Sequence, residues 1–193
     1  MPDRTITAGG SAMRVALGAR ANFVLMLSGF AAGQGTLFGA QSYLILTSRF
    51  DLSVAFTLAF TLASLAAMVV DMGGGTLLAR KFVVTRLQES DDQEINEYLD
   101  ALGTSRFAVW AVLMGVTLVY AFVTQDPLAW FLLPAAGSLS FWCLNLSGIL
   151  DGMRLSGFSG ATAGLPHIFS AVALLLVVDL PLEKVLLVTG IAY

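Results

Sequence analysis

Residues 21–48, ANFVLMLSGFAAGQGTLFGAQSYLILTS, run for 28 positions without an aspartate, glutamate, lysine or arginine. A charge at mid-bilayer costs roughly 2.5–3.5 kcal/mol on the insertion scale, so a run this free of charge suits hydrocarbon. As a straight helix it extends about 42 Å, more than the ~30 Å of a bilayer core requires. Four further runs follow, at 52–70, 107–125, 127–150 and 155–178, the last interrupted only by His167. The second continues past Asp71 towards residue 84, because 76–84 is again mostly apolar. Each is close to the ~20 residues that a crossing helix needs.

A sixth apolar run, 185–193, amounts to about half a crossing. A helix cannot end in hydrocarbon with its last carbonyls unsatisfied. The run therefore reads as a sixth span cut short, with a short re-entrant or interfacial tail as the alternative. The expected fold is all-α: a polytopic transmembrane helix bundle of five full spans and a truncated sixth. A polar N-terminal segment, 1–20, precedes spans near 21–48, 52–84, 103–125, 127–150, 155–178 and 182–193.

Composition agrees. Of 193 residues, 57% are hydrophobic and 12% charged, whereas a soluble domain carries about a quarter charged residues. Net charge is -3, from 10 basic and 13 acidic residues. Neutralising nucleic-acid phosphates takes clustered positive charge, so no nucleic-acid partner is expected. Cys143 is the single cysteine and His167 the single histidine, which excludes an internal disulfide framework, a Cys-rich zinc site and any two-histidine metal site. The nucleophile elbow, the phosphate loop and the dinucleotide fingerprint are all missing. Gly73-Gly74-Gly75 has no Lys-Ser/Thr behind it. An enzyme, a cofactor and a resident metal are not expected.

Eight of the ten basic residues fall on one side of the spans: Arg4, Arg14, Arg20, Arg80, Lys81, Arg86, Arg106 and Arg154. Arg49 and Lys184 fall on the other. The positive-inside bias puts the N-terminus in the cytoplasm. The run 21–48 is too long for a signal-peptide core, so it stays as a helix. Between Arg86 and Arg106 lies the only sizeable polar stretch. Ser90 with Gln93 three residues on makes a capping box. Ile95, Leu99 and Leu102 then recur at helical spacing among Asp92, Glu94, Glu97 and Asp100. This predicts a cytoplasmic amphipathic helix leading into the third span, either a solvated extension or a docking surface.

Small residues four apart recur in the spans: Gly29 and Gly33, Gly35 and Gly39, Gly148 and Gly152, Gly160 and Gly164. Such pairs let helix backbones approach closely, for packing or as a mobile seam. Gln34 between Gly33 and Gly35 should face a neighbour or water; a hinge and a tilted, hydrogen-bonded helix are both compatible with it. Asp71 precedes three glycines that weaken a helix by ~1 kcal/mol each. It either lines a polar cavity mouth or caps a helix end. Pro166 removes a backbone donor and should kink the fifth span. Beside it, His167 is either a protonatable group in a cavity or an interhelical hydrogen-bond partner. Asn145 and Trp142 serve as polar glue, interfacial anchor or cavity lining, and Arg154 most simply snorkels to the interface.

The order of these features resembles a known family. A long first helix rich in small residues leads through Ser48-Arg49-Phe50-Asp51 to a second helix ending Val70-Asp71-Met72-Gly73. Leu77-Leu78-Ala79-Arg80-Lys81, a polar cytoplasmic helix, and a fourth span closing on Leu150-Asp151-Gly152-Met153-Arg154 follow. This resembles the polysaccharide (O-antigen type) flippases of the multidrug/oligosaccharidyl-lipid/polysaccharide exporter superfamily, over about residues 12–190. Two departures stand out. The usual Gly-Pro-acidic outer loop is replaced by Thr47-Ser48-Arg49-Phe50-Asp51, and Gly74-Gly75 are extra glycines.

The resemblance implies most of the N-terminal lobe of a two-lobed transporter in the bacterial inner membrane, lacking its C-terminal lobe. That transporter would turn a lipid-linked oligosaccharide from the cytoplasmic to the outer leaflet by alternating access. On this reading Arg80, Lys81 and Arg154 supply positive charge at the inner mouth and Arg49 at the outer, with Gln34 and Asn145 also candidate substrate contacts. Asp71 or His167 would couple to a cation. The alternatives are a multidrug/cation antiporter of the same superfamily, which favours acidic residues inside the lobe, and a non-transporting membrane assembly subunit. A membrane glycosyltransferase or polymerase would need a large polar loop, and the outer loops here are only a few residues long.

Overall fold

A computed structural model describes residues 18–87 and 93–193. The described residues form helices and no strand. In chain order these are α1 (Ala19–Leu46), α2 (Phe50–Asp71), α3 (Gly74–Leu87), α4 (Gln93–Thr124), α5 (Ala129–Trp142), α6 (Ser147–Gly152), α7 (Ser156–Ala163), α8 (Leu165–Val177) and α9 (Leu182–Ile191). Four helical stretches are long and apolar enough to cross a membrane: Ala19–Leu46, Phe50–Leu87, Gln93–Thr124 and Ser156–Val177. Ser90 and Asp92 of the expected capping box and amphipathic helix lie outside the described residues, as do Arg4 and Arg14.

The glycine and proline signals translate unevenly into breaks. α1 is one continuous helix through Gly33-Gln34-Gly35, so the hinge is not formed. The glycine run after Asp71 does end α2. Met72 and Gly73 both adopt left-handed backbone, with φ of 50° and 71°, and α3 restarts at Gly74. Apolar run 127–150 is not one helix either. The 14-residue α5 stops at Trp142, and a turn over 143–146 separates it from the 6-residue α6. Asn145 makes that turn, its side-chain oxygen accepting the Ser147 N–H at 2.9 Å, an Asx geometry that restarts the chain as a helix. Run 155–178 breaks at Gly164, which leaves Pro166 in the first turn of α8, where its missing N–H costs nothing. The predicted polar helix and the third span are a single 32-residue helix, α4.

Packing divides the bundle into two ends with different chemistry. At one end the C-terminal half of α1, with α2, α5, α8 and α9, encloses large apolar side chains. Leu44, Phe56, Phe131, Leu174 and Leu186 are all fully buried there, and Phe56 meets Phe131 edge-on at 6.1 Å between ring centres. At the other end the helices touch through glycine. Gly29 and Gly33 of α1 lie against Ala161 and Gly164, and Gly160 lies on Met26. Gly148 and Gly152 of α6 lie on the backbone of α3 at Gly75 and Ala79. Three of the four glycine pairs are thus backbone contacts, as close small-residue packing requires. The fourth, Gly35 and Gly39, has open space beside it.

This contrast yields a paired expectation. Gly29→Ala puts a methyl onto the Ala161 backbone and should destabilise the chain by about 1–3 kcal/mol, the usual range for overpacking. Gly39→Ala meets nothing and should leave stability unchanged or slightly raised. Thermal unfolding of the two variants in detergent measures the difference.

Candidate functional site

The side chain that organises the polar end is Arg106, which by sequence counts among the cytoplasmic charges between the second and third spans. It sits instead well inside α4 and is 1% exposed. One guanidinium nitrogen, Nη2, donates to the Asp71 carboxylate at 2.5 Å. The other, Nη1, donates to the Asn145 carbonyl at 2.8 Å. Arg106 therefore bridges two helix ends: Asp71 is the last residue of α2, and Asn145 lies in the turn after α5. Positive charge is favoured at helix C-termini, where carbonyls lack intrahelical partners. Gly74 makes room for it: a Cβ there would lie 3.0 Å from Arg106 Nη2 and collide with Leu102. Asp71 accordingly neither pairs with Arg80 nor stands alone.

Two further polar side chains tie the remaining breaks. Asn22 is buried in α1; its amide donates to the Arg154 carbonyl, and its oxygen accepts the Gly157 N–H at 3.0 Å. This fastens the turn between α6 and α7, where Arg154 itself has left-handed backbone with φ 62°. Arg49 lies at the opposite end, donating to the Val178 carbonyl at 2.7 Å and pairing with Asp179 at 2.6 Å. It closes the C-terminus of α8.

The other predicted residues are placed as follows. Lys81 pairs with Glu94 at 2.9 Å across α3 and α4. Arg80 and Arg154 are exposed and make no ion pair among the described residues. Gly152 packs on Ala79 and Phe82, which puts all three cations at one end of the bundle. Desolvation pushes the neighbouring Asp151 carboxyl above its ordinary range, opposed by a hydrogen bond with Ser159. Gln34 is exposed on α1, although its neighbours Gly33 and Leu37 are buried. His167 is half-buried, its ring edge-on to Phe60 at 5.1 Å. It is not part of the Arg106 cluster.

Beside that cluster lies a groove of about 470 Å³, between α5, the start of α6, and α7–α8. Asn145 and Trp142 line it together with Ser138, Thr162, Phe141 and Phe169. No charged side chain lines it. Asn145 thus joins the two features: its carbonyl holds Arg106 while its side-chain oxygen closes the Asx turn onto Ser147 at the groove wall.

Arg106 and Asn22 were not singled out from sequence. Arg106 falls where the polar helix meets the third apolar run, and nothing local marks it as buried. The signal available was the uninterrupted helical pattern from Ile95 through residue 106, with no glycine-proline or Asx turn to separate them. Comparison with known proteins returns no matching family, no matching curated protein and no matching solved structure.

Replacing Arg106 by leucine strands the Asp71 carboxylate and the Asn145 carbonyl. Removing one partner of a buried pair costs about 3–5 kcal/mol; because Asp71 is 32% exposed, we expect the low end, about 3 kcal/mol. Arg106→Lys keeps the charge but lacks a planar fork to reach both acceptors, and should fall between leucine and the parent. Unfolding midpoints in detergent should rank parent, lysine, leucine.

Proposed function

We propose that the chain is a membrane-embedded transport lobe that exports a lipid-linked oligosaccharide or polysaccharide precursor across the bacterial inner membrane by alternating access, with its N-terminus cytoplasmic. The observation that carries this reading is the pair of interrupted helices, α2–α3 and α5–α6, packed side by side with their breaks held on Arg106. Broken helices whose ends face a polar site are a recurring design of transporters, and non-helical backbone at membrane depth is tolerated only where protein or a water-filled cavity receives it. An ionisable residue inside an apolar helix marks a functional position by default.

Several features bear on the alternatives. A cation antiporter needs an acidic group free to exchange its ion, and Asp71, the acidic candidate of the bundle interior, is engaged by Arg106. A non-transporting assembly subunit needs tightly closed helix contacts, whereas the groove beside Asn145 is open, with a mostly apolar lining that carries a few neutral polar groups. Arg80 and Arg154, which make no ion pair among the described residues, suit the attraction of an anionic carrier headgroup on the cytoplasmic side. Arg49 and Lys81, each in an ion pair, serve better as structural ties than as substrate contacts. Gln34 faces out of this lobe and suits a partner lobe, as the resemblance implies.

The reading is tested by water accessibility. In a Cys143→Ala background, Gln34→Cys and Asn145→Cys in native membranes should react with a charged, hydrophilic maleimide. Phe122→Cys, on the open face of α4 (82% exposed), should stay unreactive because it faces lipid. Protection of the first two sites to the level of the third would contradict a transport pathway. In vesicles of the complete transporter, Arg80→Glu should slow flipping of a lipid-linked oligosaccharide at least tenfold.

A further inference from the structure

We propose that the uncharged groove between α5 and α7–α8 binds a neutral sugar ring of the transported molecule, with Asn145 and Trp142 as hydrogen-bond donors and Ser138 and Thr162 as acceptors. This deepens the transport reading and rests on it. The carrier's diphosphate and its sugars make different demands, and this groove meets only one of them.

The first argument is the missing charge. The groove's lining contains no aspartate, glutamate, lysine or arginine. A diphosphate or a uronic acid would enter without a counter-charge, and so would an organic cation; burial of an uncompensated ion is strongly unfavourable. Arg106, the nearest organised cation, already has Asp71 and the Asn145 carbonyl on its two terminal nitrogens.

The second argument is the hydrogen-bonding complement. Trp142 Nε1 and the Asn145 side-chain amide nitrogen make no hydrogen bond among the described residues. Both are therefore donors on offer. The hydroxyls of Ser138 and Thr162 already donate within the chain, to the Ala135 carbonyl at 2.8 Å and the Ser159 carbonyl at 2.9 Å. That leaves their oxygens as acceptors. Neutral donors and neutral acceptors around one groove match the hydroxyls of a sugar, each of which donates and accepts. An acyl chain would leave these groups without partners, at a cost for each.

The third argument is shape and surface. Trp142, Phe141, Phe169 and Tyr193 bring four aromatic rings to the groove, and the electron-rich face of such a ring attracts the polarised C–H bonds of a pyranose. A volume of about 470 Å³ lies within the ~300–1,000 Å³ typical of small-molecule sites. The same combination, aromatic faces with sparse neutral polar groups, would discriminate poorly among neutral hexoses. It would reject acidic ones.

The experiment follows Trp142 emission for the chain in lipid nanodiscs, titrated with a short prenyl diphosphate bearing a neutral disaccharide. Parallel titrations use the bare prenyl diphosphate and the same carrier bearing a uronic acid. The neutral carrier should give a saturable change that is absent in Trp142→Phe. The bare and acidic carriers should bind at least tenfold more weakly. Asn145→Asp keeps the oxygen that accepts the Ser147 N–H but loses the amide donor and adds charge, and should weaken the neutral carrier at least tenfold. Thr162→Val, which alters no cap, should weaken it about threefold. Equal responses to bare and sugar-bearing carriers would overturn the proposal, as would a response that neither substitution moves. Flipping of the neutral carrier in vesicles of the complete transporter separates the two levels. Flipping without a Trp142 response overturns the groove assignment and leaves the transport reading standing; a Trp142 response without flipping supports the groove and removes the transport reading.

Discussion

One guanidinium holds the polar end of this molecule together. Arg106 reaches from α4 into a place where two other helices stop, and offers a donor to each: one to the Asp71 carboxylate, one to the Asn145 carbonyl. Taking an arginine out of water costs several kcal/mol. Here the offset comes from an ion pair, a carbonyl acceptor and the negative ends of α2 and α5. Without that charge the Asp71 carboxylate and the Asn145 carbonyl would lose the donor that joins them. The breaks and the arginine explain one another.

The same logic recurs with different residues. Asn22 fastens the turn before α7, and Arg49 fastens the end of α8. Breaks in helices free backbone groups, and at 143–146, at 153–155 and after α8 a side chain from far away in the sequence receives them. Large apolar side chains fill the opposite end, so the chain has one rigid, well-packed half and one half built from glycine contacts and polar ties.

Much of this architecture was legible in the residues. The apolar runs located the long helices, and Asp71 before three glycines located the break between α2 and α3. Three of four glycine pairs marked real backbone contacts. What escaped was of two kinds. Turns made by polar side chains inside apolar runs were missed, although Asn145 followed by Ser147-Gly148 is a turn signature that a composition count ignores. The interior charge was missed because its partners are far off in sequence: Asp71 and Asn145 lie 35 and 39 residues from Arg106. Local periodicity carries no information about such a pairing. Gln34 shows the reverse case, a polar residue between glycines that suggested a bend, where α1 continues because Gly33 is occupied in packing on Gly164.

The central claim, that Arg106 and Asp71 form one buried charged unit on which the helix ends rest, is tested most directly by a double-mutant cycle. Unfolding free energies of the parent, Arg106→Met, Asp71→Asn and the double variant give the coupling between the two side chains. The account predicts a coupling of at least about 2 kcal/mol, with the double variant less damaged than the sum of the single ones, as for close partners in a buried network. A coupling indistinguishable from zero would mean that the two charges act independently, and the account would be wrong.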